Sequence, residues 1–432
     1  MKRLLIVLAA VAFLTNGYAQ TLRLEDAINI ALKNSLDIQL ARNGVASATV
    51  LNNYGVAGGL PTVSATGSDN EQITSINQKF SDPTRNTLRN NTASNNLNAN
   101  LTGNLLLYNG MRVVAAKSRL GQLQAQSEQM LNSKVQNILA SVMTAYYDVV
   151  RQQYYIKTID QSISTAQQKL DIVKKQQSVG LANNADLFQA QLDLNNLLQA
   201  KQTQQLIIDQ AKATLLTELT IRPDSLVNIA DTIAVSEGIQ LQAVLDKLKG
   251  NADIMAAGDQ IRINEQLVRE TGAQRYPSLR GTAGYGFSRS KNAAGFSLLN
   301  QSYGPTIGVS FSVPIYNGSI YKRQQLVAEI NVKNAEIQQQ QLLRDYTGII
   351  VKTYQAYQNN LQQLHTAQEN QQLALQLLSL VLQRFQLRQA TLLEVNQAQQ
   401  SFETASYSLT NLSYAAKAAE IELNRVANQL KF

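Results

Sequence analysis

The sequence predicts a mainly α-helical protein with a few amphipathic β-strands, built as two copies of one helix–strand–strand–long helix–helix unit. Three observations predict it. One long stretch, from Arg112 to Ser178, carries a helical seam and no proline. Short motifs recur at a fixed spacing. Two segments before the second long helix switch to strict alternation of apolar and polar residues.

The seam contains no proline and one glycine, Gly121. Val135, Val142, Val149, Ile156, Ile163 and Leu170 recur every seventh position. Ile138, Ala145, Ile159, Ala166 and Val173 fill the alternate row, and Gln152 interrupts it. Such heptads make helices wrap around neighbours. At 1.5 Å per residue the helix would be roughly 100 Å long, too long for a compact globular domain. Taken alone, it suits a coiled-coil rod.

The repeat shows in paired landmarks. Leu106-Leu107-Tyr108-Asn109-Gly110 returns as Pro314-Ile315-Tyr316-Asn317-Gly318, at an offset of 208 in the numbering. Asp186-Leu187 with Gln189-Ala190-Gln191 returns as Glu394-Val395 with Gln397-Ala398-Gln399 at the same 208. Earlier landmarks, Asp37-Ile38 with Asp253-Ile254 and Leu60-Pro61 with Tyr276-Pro277, are 216 apart, so the second copy is shorter by eight before its Tyr-Asn-Gly.

The first repeat spans 20–221, with a helix about 22–57, strands about 60–72 and 97–108, the long helix 112–178 and a shorter helix about 183–218. A segment, 222–237, connects the copies. The second repeat spans 238–432, with a helix about 240–273, strands about 277–289 and 304–316, a long helix about 319–387 and a shorter helix about 392–429. In the second copy Leu279, Gly281, Ala283, Tyr285 and Phe287 alternate with polar or small residues, as do Ile307, Val309, Phe311, Val313 and Ile315. This is the period of a strand with one apolar face. Tyr-Asn-Gly is followed by helical periodicity, so Tyr108, Gly110, Tyr316 and Gly318 mark strand-to-helix junctions rather than hairpin turns.

Lys2 and Arg3 precede the apolar run Leu4–Leu14, and Gly17-Tyr18-Ala19 is small-x-small. Residues 1–19 therefore read as a secretory signal. The run Leu4–Leu14 is too short to span a bilayer as a helix, and no other long apolar run exists. Without cysteine there is no disulfide or thiolate site. Removing Lys2 and Arg3 lowers the formal charge from +8 to +6, and the remaining cations are dispersed among Gln and Asn, not gathered into a nucleic-acid patch. His365 is the only histidine. There is no catalytic constellation, no metal-ligand cluster and no phosphate-binding loop, so neither an enzyme nor a cofactor is expected.

Four strands with one apolar face suit a membrane barrel but are too few to close one, and an open edge in lipid costs several kcal/mol per unpaired group. The barrel must be shared: a dimer supplies eight strands and a trimer twelve. With the signal segment, this places the strands in an outer membrane and the helices in the periplasm, with Tyr276, Tyr303 and Tyr316 candidates for the membrane interface. The rival readings are a β-sandwich cap on a helical rod, or a periplasmic adaptor or structural coiled-coil protein. An adaptor carries one helical hairpin, whereas two recur here.

This layout resembles the outer-membrane efflux proteins of the TolC family across essentially the whole mature chain. The most specific pieces are Val179-Gly180-Leu181-Ala182-Asn183-Asn184-Ala185-Asp186-Leu187 and its partner Arg388-Gln389-Ala390-Thr391-Leu392-Leu393-Glu394-Val395, which are similar to the family's periplasmic helix–turn–helix tip. The resemblance implies a homotrimer with a 12-stranded β-barrel on a periplasmic α-helical barrel, docked to a periplasmic adaptor and an inner-membrane transporter. It also implies a passive exit duct gated at the tip by inward carboxylates. The gate candidates are Asp186, Glu394, Gln397 and Arg388, with Gly180 as the tip turn. One of the family's two acids in the second copy is a glutamine here (Gln397), the tip arginine falls at Ala390, and the tip glycine falls at Arg388.

Overall fold

A computed structural model describes residues 21–295 and 297–430. The signal segment 1–19 lies outside the described residues. The chain is mainly helical and carries one small antiparallel sheet. Helices α1 (Leu24–Asn34) and α2 (Leu36–Leu51) precede strands β1 (Thr62–Gln78) and β2 (Thr87–Tyr108). The long helix α3 (Arg112–Ser178) and the shorter α4 (Asn184–Glu218) follow. The second copy comprises α5 (Leu241–Lys247), α6 (Ala252–Gly272), β3 (Ser278–Asn292), β4 (Leu299–Ser312), α7 (Ile320–Gln386) and α8 (Leu392–Val426). No helix among the described residues is long and apolar enough to cross a membrane.

The duplication is written into the backbone. Left-handed φ angles occur in pairs that keep the 208 offset of the motifs: Gly110 with Gly318, Met111 with Ser319, Gly180 with Arg388, and Thr220 with Asn428. A second pairing explains why the single helices expected at 22–57 and 240–273 are each interrupted. Ser35 and Asn251, at the 216 offset, begin a new helix in each copy: Ser35 Oγ accepts from Ile38 N–H at 3.4 Å, and Asn251 Oδ1 from Asp253 N–H at 2.9 Å. Short polar side chains at these points satisfy the first-turn donors of the next helix.

The chain divides into two compact units. One comprises Gly44–Glu128 and Ala256–Gln339 and contains the whole sheet, in the order β1-β2-β3-β4. Its register puts Leu101 beside Tyr285 and Ala65, and Leu279, Ala283 and Phe287 beside Phe311, Ile307 and Tyr303. That face is apolar and open: Ile307 is 89% exposed and Phe311 68%. The opposite face carries Thr62, Asn104, Thr282, Ser310 and their neighbours. β4 ends at Ser312, short of the expected 316, because Pro314 lacks the N–H a ladder needs. β1 and β2 run well past the expected 72 and 97, through Asn- and Thr-rich segments that alternate polar with polar. Among the described residues the sheet is open, with β1 and β4 as unpaired edges. It is a single layer, not the cap sandwich weighed above.

The other unit comprises the chain through Asn43, Gln129–Met255 and Gln340 onward. The heptad seam builds its core. Val142, Val149 and Ala166 of α3 have no exposed surface, and Ile350 of α7, the counterpart of Val142 in the second copy, is equally buried. Gln152, which interrupts the seam, is buried too, because Gln204 Nε2 on α4 donates to its side-chain oxygen at 3.0 Å. Buried amides are tolerated when paired in this way. Near the helix-hairpin ends a cluster of Leu170, Val173, Ala190, Leu378, Phe385, Val395 and Phe402 packs α3–α4 against α7–α8.

Candidate functional site

The two hairpin turns are built alike. Gly180 (φ +74) follows α3, and Leu181 N–H donates to Gln176 C=O at 2.7 Å. Arg388 (φ +64) follows α7, and Gln389 N–H donates to Arg384 C=O at 2.7 Å. Both are six-to-one closures of a helix C-terminus, which place one residue in the left-handed region. Glycine enters that region freely, whereas a side chain costs roughly 1 kcal/mol there.

The next helices open on matching caps. Asn183 Oδ1 accepts from Asp186 N–H at 2.8 Å. Thr391 Oγ1 accepts from Glu394 N–H at 3.2 Å, and Thr391 N–H donates back to Glu394 Oε2 at 2.6 Å. The second is a reciprocal capping box. The Thr391 backbone and hydroxyl donors hold the Glu394 carboxyl below its ordinary range, and the Arg384 charge adds to this. Asp186 and Glu394 share no hydrogen bond or ion pair among the described residues. Gln397, one turn further, lines an 840 Å³ groove between α7 and α8 whose other walls are mainly Asn, Gln, Ser and Thr side chains.

A buried lysine near these turns was not among the expected residues. Lys169 of α3 is 1% exposed; its Nζ donates to Asp193 Oδ2 of α4 at 2.6 Å and to Asn396 Oδ1 of α8 at 2.5 Å. It thereby ties one helical hairpin to the other. The signal was present: Ala166, Lys169, Leu170 and Val173 hold the spacing of one buried helix face.

The Tyr-Asn-Gly junctions belong to the sheet-bearing unit. Tyr108 and Tyr316 are exposed, and after each Asn the chain turns on two consecutive left-handed residues, Gly110-Met111 and Gly318-Ser319. Asn109 begins α3, its carbonyl accepting from Arg112 N–H at 3.3 Å. The two copies differ in crowding. A Cβ on Gly110 would lie 2.6 Å from Tyr276 Cβ and 2.9 Å from Ala273 C=O, whereas one on Gly318 would meet nothing within 4 Å. Among the described residues no three His, Asp or Glu side chains converge as a metal site. His365 is exposed, beside Glu369 at 3.5 Å.

A duplicated, mainly helical chain with a small, open antiparallel sheet defines the class of the fold. Residues 27–219 and 245–429 match the family described as Outer membrane efflux protein. The chain belongs to that family. Outer membrane protein TolC of Vibrio cholerae serotype O1 is 24% identical over 245 residues, covering 55% of this chain and 54% of that protein, so the chain spans about half the length of the curated relative it matches. The fold is shared with the outer membrane protein VceC of Vibrio cholerae (TM-score 0.78, 20% identity, 94% of this chain and 96% of that chain). It is shared as well with the CmeC outer membrane channel of Campylobacter jejuni (TM-score 0.75, 17% identity, 94% and 85%).

Proposed function

We propose that the protein is a passive exit duct: three copies close a 12-stranded barrel in the outer membrane, and their helices form a conduit on the periplasmic side. A periplasmic adaptor and an inner-membrane transporter supply the cargo. The observation that carries this reading is the sheet. Its apolar face carries exposed side chains such as Ile307 and Phe311, and among the described residues both of its edges lack partners. From Leu279 to Phe287, at about 3.4 Å per residue and a tilt of about 40°, the apolar band stands roughly 21 Å tall, close to the span of outer-membrane barrels. Residues 1–19 serve as the export signal.

The gate sits at the helix-hairpin turns. Glu394 commits one carboxylate oxygen, Oε2, to a cap, and capping keeps the group ionised. Three such charges around one axis would repel each other and favour cations. Asp186 stands at the equivalent position of the first copy, with Gln397 and Arg388 beside Glu394. The junction residues Tyr108, Gly110, Tyr316 and Gly318 set where barrel passes into helix. Cell fractionation with subunit counting tests the reading. It predicts an outer-membrane product with three copies per particle, and a soluble monomer would overturn it.

A further inference from the structure

A cavity of about 790 Å³ lies where the helices meet the sheet, entirely within the sheet-bearing unit. The sheet residues that line it include Thr62, Asn104, Arg280 and Ser312. These belong to the polar face, opposite the apolar band, as the pairings Thr62 with Asn104 and Arg280 with Ser310 place them. In the duct proposed above, that face looks inward.

Four charged side chains line the cavity: Arg112 and Arg119 from α3, Glu270 from α6, and Arg280 from β3. Glu270 is largely buried and takes Arg119 at 3.0 Å and Arg112 at 4.0 Å. One carboxylate faces three guanidiniums, and Arg280 forms no ion pair among the described residues. The first turn of α3, the positive end of a long helix, opens onto the same space. The remaining walls include Leu106, Val113, Leu120, Tyr276 and Tyr321. The volume lies in the range that holds a drug-sized molecule.

We infer that this cavity binds anionic amphiphiles, molecules with a carboxylate or phosphate on an apolar body, as cargo passing through the duct. The excess guanidinium charge takes the anion, bidentately where geometry allows. The leucine, valine and tyrosine walls take the body. A cation or a neutral solute gains nothing from the charge excess. A membrane lipid carries the same chemistry, but the cavity opens on the face turned away from the apolar band. The inference rests on the duct for its role in transport, not for the existence of the site.

The test is calorimetric titration of the full chain in nanodiscs with 2-naphthoate, using 2-naphthamide as the uncharged probe. Naphthoate should bind at least about tenfold more tightly than naphthamide. Arg280→Gln and Arg112→Gln should each weaken naphthoate about tenfold and leave naphthamide unchanged, the scale of one lost charged hydrogen bond. Arg289→Gln, at an apolar-face position of β3, should change neither. Equal binding of the two probes, or binding indifferent to Arg280 and Arg112, overturns the inference. Discs of phosphatidylglycerol and of phosphatidylcholine separate the sources: naphthoate binding lost only in phosphatidylglycerol would assign the cavity to lipid and overturn the cargo assignment. Subunit counting on the same discs separates the site from the duct. Three copies with no naphthoate preference remove the site alone, whereas an arginine-dependent preference in a non-trimeric chain keeps the site and removes the duct.

Discussion

Gly180 and Arg388 hold the same left-handed backbone angle at the ends of the two long helices, one with no side chain and the other with a full arginine. The helix closure around them is the same, so the difference isolates the cost of a Cβ in that region. A Cβ at Gly180 would meet nothing within 4 Å, which leaves backbone strain alone. Gly180→Ala should therefore cost about 1 kcal/mol, while Arg388→Gly should stabilise by roughly 0.5 kcal/mol, the strain relieved being partly offset by a floppier unfolded chain. Denaturant midpoints of the two variants check both signs. A destabilised Arg388→Gly would mean that its side chain holds the tip.

The two strand-to-helix junctions should respond unequally to one substitution. Gly110 and Gly318 share a positive φ, but only Gly110 is pressed against Tyr276 and the Ala273 carbonyl. Gly318→Ala should cost about 1 kcal/mol from strain. Gly110→Ala adds overpacking of a further 1–3 kcal/mol or so. Equal losses in thermal unfolding would contradict the asymmetry.

Lys169 joins two hairpins through a buried charge. Lys169→Ala leaves Asp193 and Asn396 without their shared donor and should destabilise by about 3 kcal/mol, whereas Lys169→Met with Asp193→Leu should recover much of that loss. Amide exchange along α3 and α8 localises the effect. Protection unchanged near Asn396 in the single variant would show that the lysine does not couple the hairpins.

The Glu394 cap gives a pH dependence with a definite sign. Its carboxyl is held below the ordinary value by Thr391, so the stabilisation is complete above the unfolded pKa and is lost as pH falls through the lowered folded pKa. Exchange of the Val395 amide should accelerate on acidification in the wild type but show no such carboxyl step in Glu394→Gln. In planar bilayers Glu394→Ala should also lower single-channel cation selectivity. Unchanged selectivity would leave Glu394 a cap and take it out of the gate.

Much of this was legible in the sequence, and the parts that were not have identifiable causes. The α3 seam was readable because a branched apolar residue recurs every seventh position from Val135 to Leu170, and α3 meets its partners along that stripe. The paired landmarks at 208 reappear as paired backbone angles because turn geometry constrains residue choice. The far ends of β1 and β2 were not readable. Segments such as Asn95-Asn96 in β2 and Thr74-Ser75 in β1 present polar groups to both sides and so carry no period. The breaks at Ser35 and Asn251 were hidden because apolar spacing continues across them; only the capping side chains betray them. Thr391 and Glu394 stand at the Thr-x-x-Glu spacing of a capping box, a local pattern that the gate reading of Glu394 passed over. The contact of Lys169 with Asn396 joins residues far apart in sequence, and no local pattern encodes it. The arginine-lined cavity likewise gathers α3, α6 and β3.

The most direct measurement uses the absence of cysteine from this chain. One cysteine at Thr66 on the β1 edge is combined in turn with one at Gly304, Thr306, Gly308 or Ser310 on the β4 edge, and the membrane-inserted protein is oxidised. A shared barrel predicts that the pair in register gives a covalent ladder ending at three copies, since cross-linking needs Cβ atoms about 4 Å apart. Oxidation that yields only monomers across the whole series, from protein that is folded and membrane-bound, would contradict it.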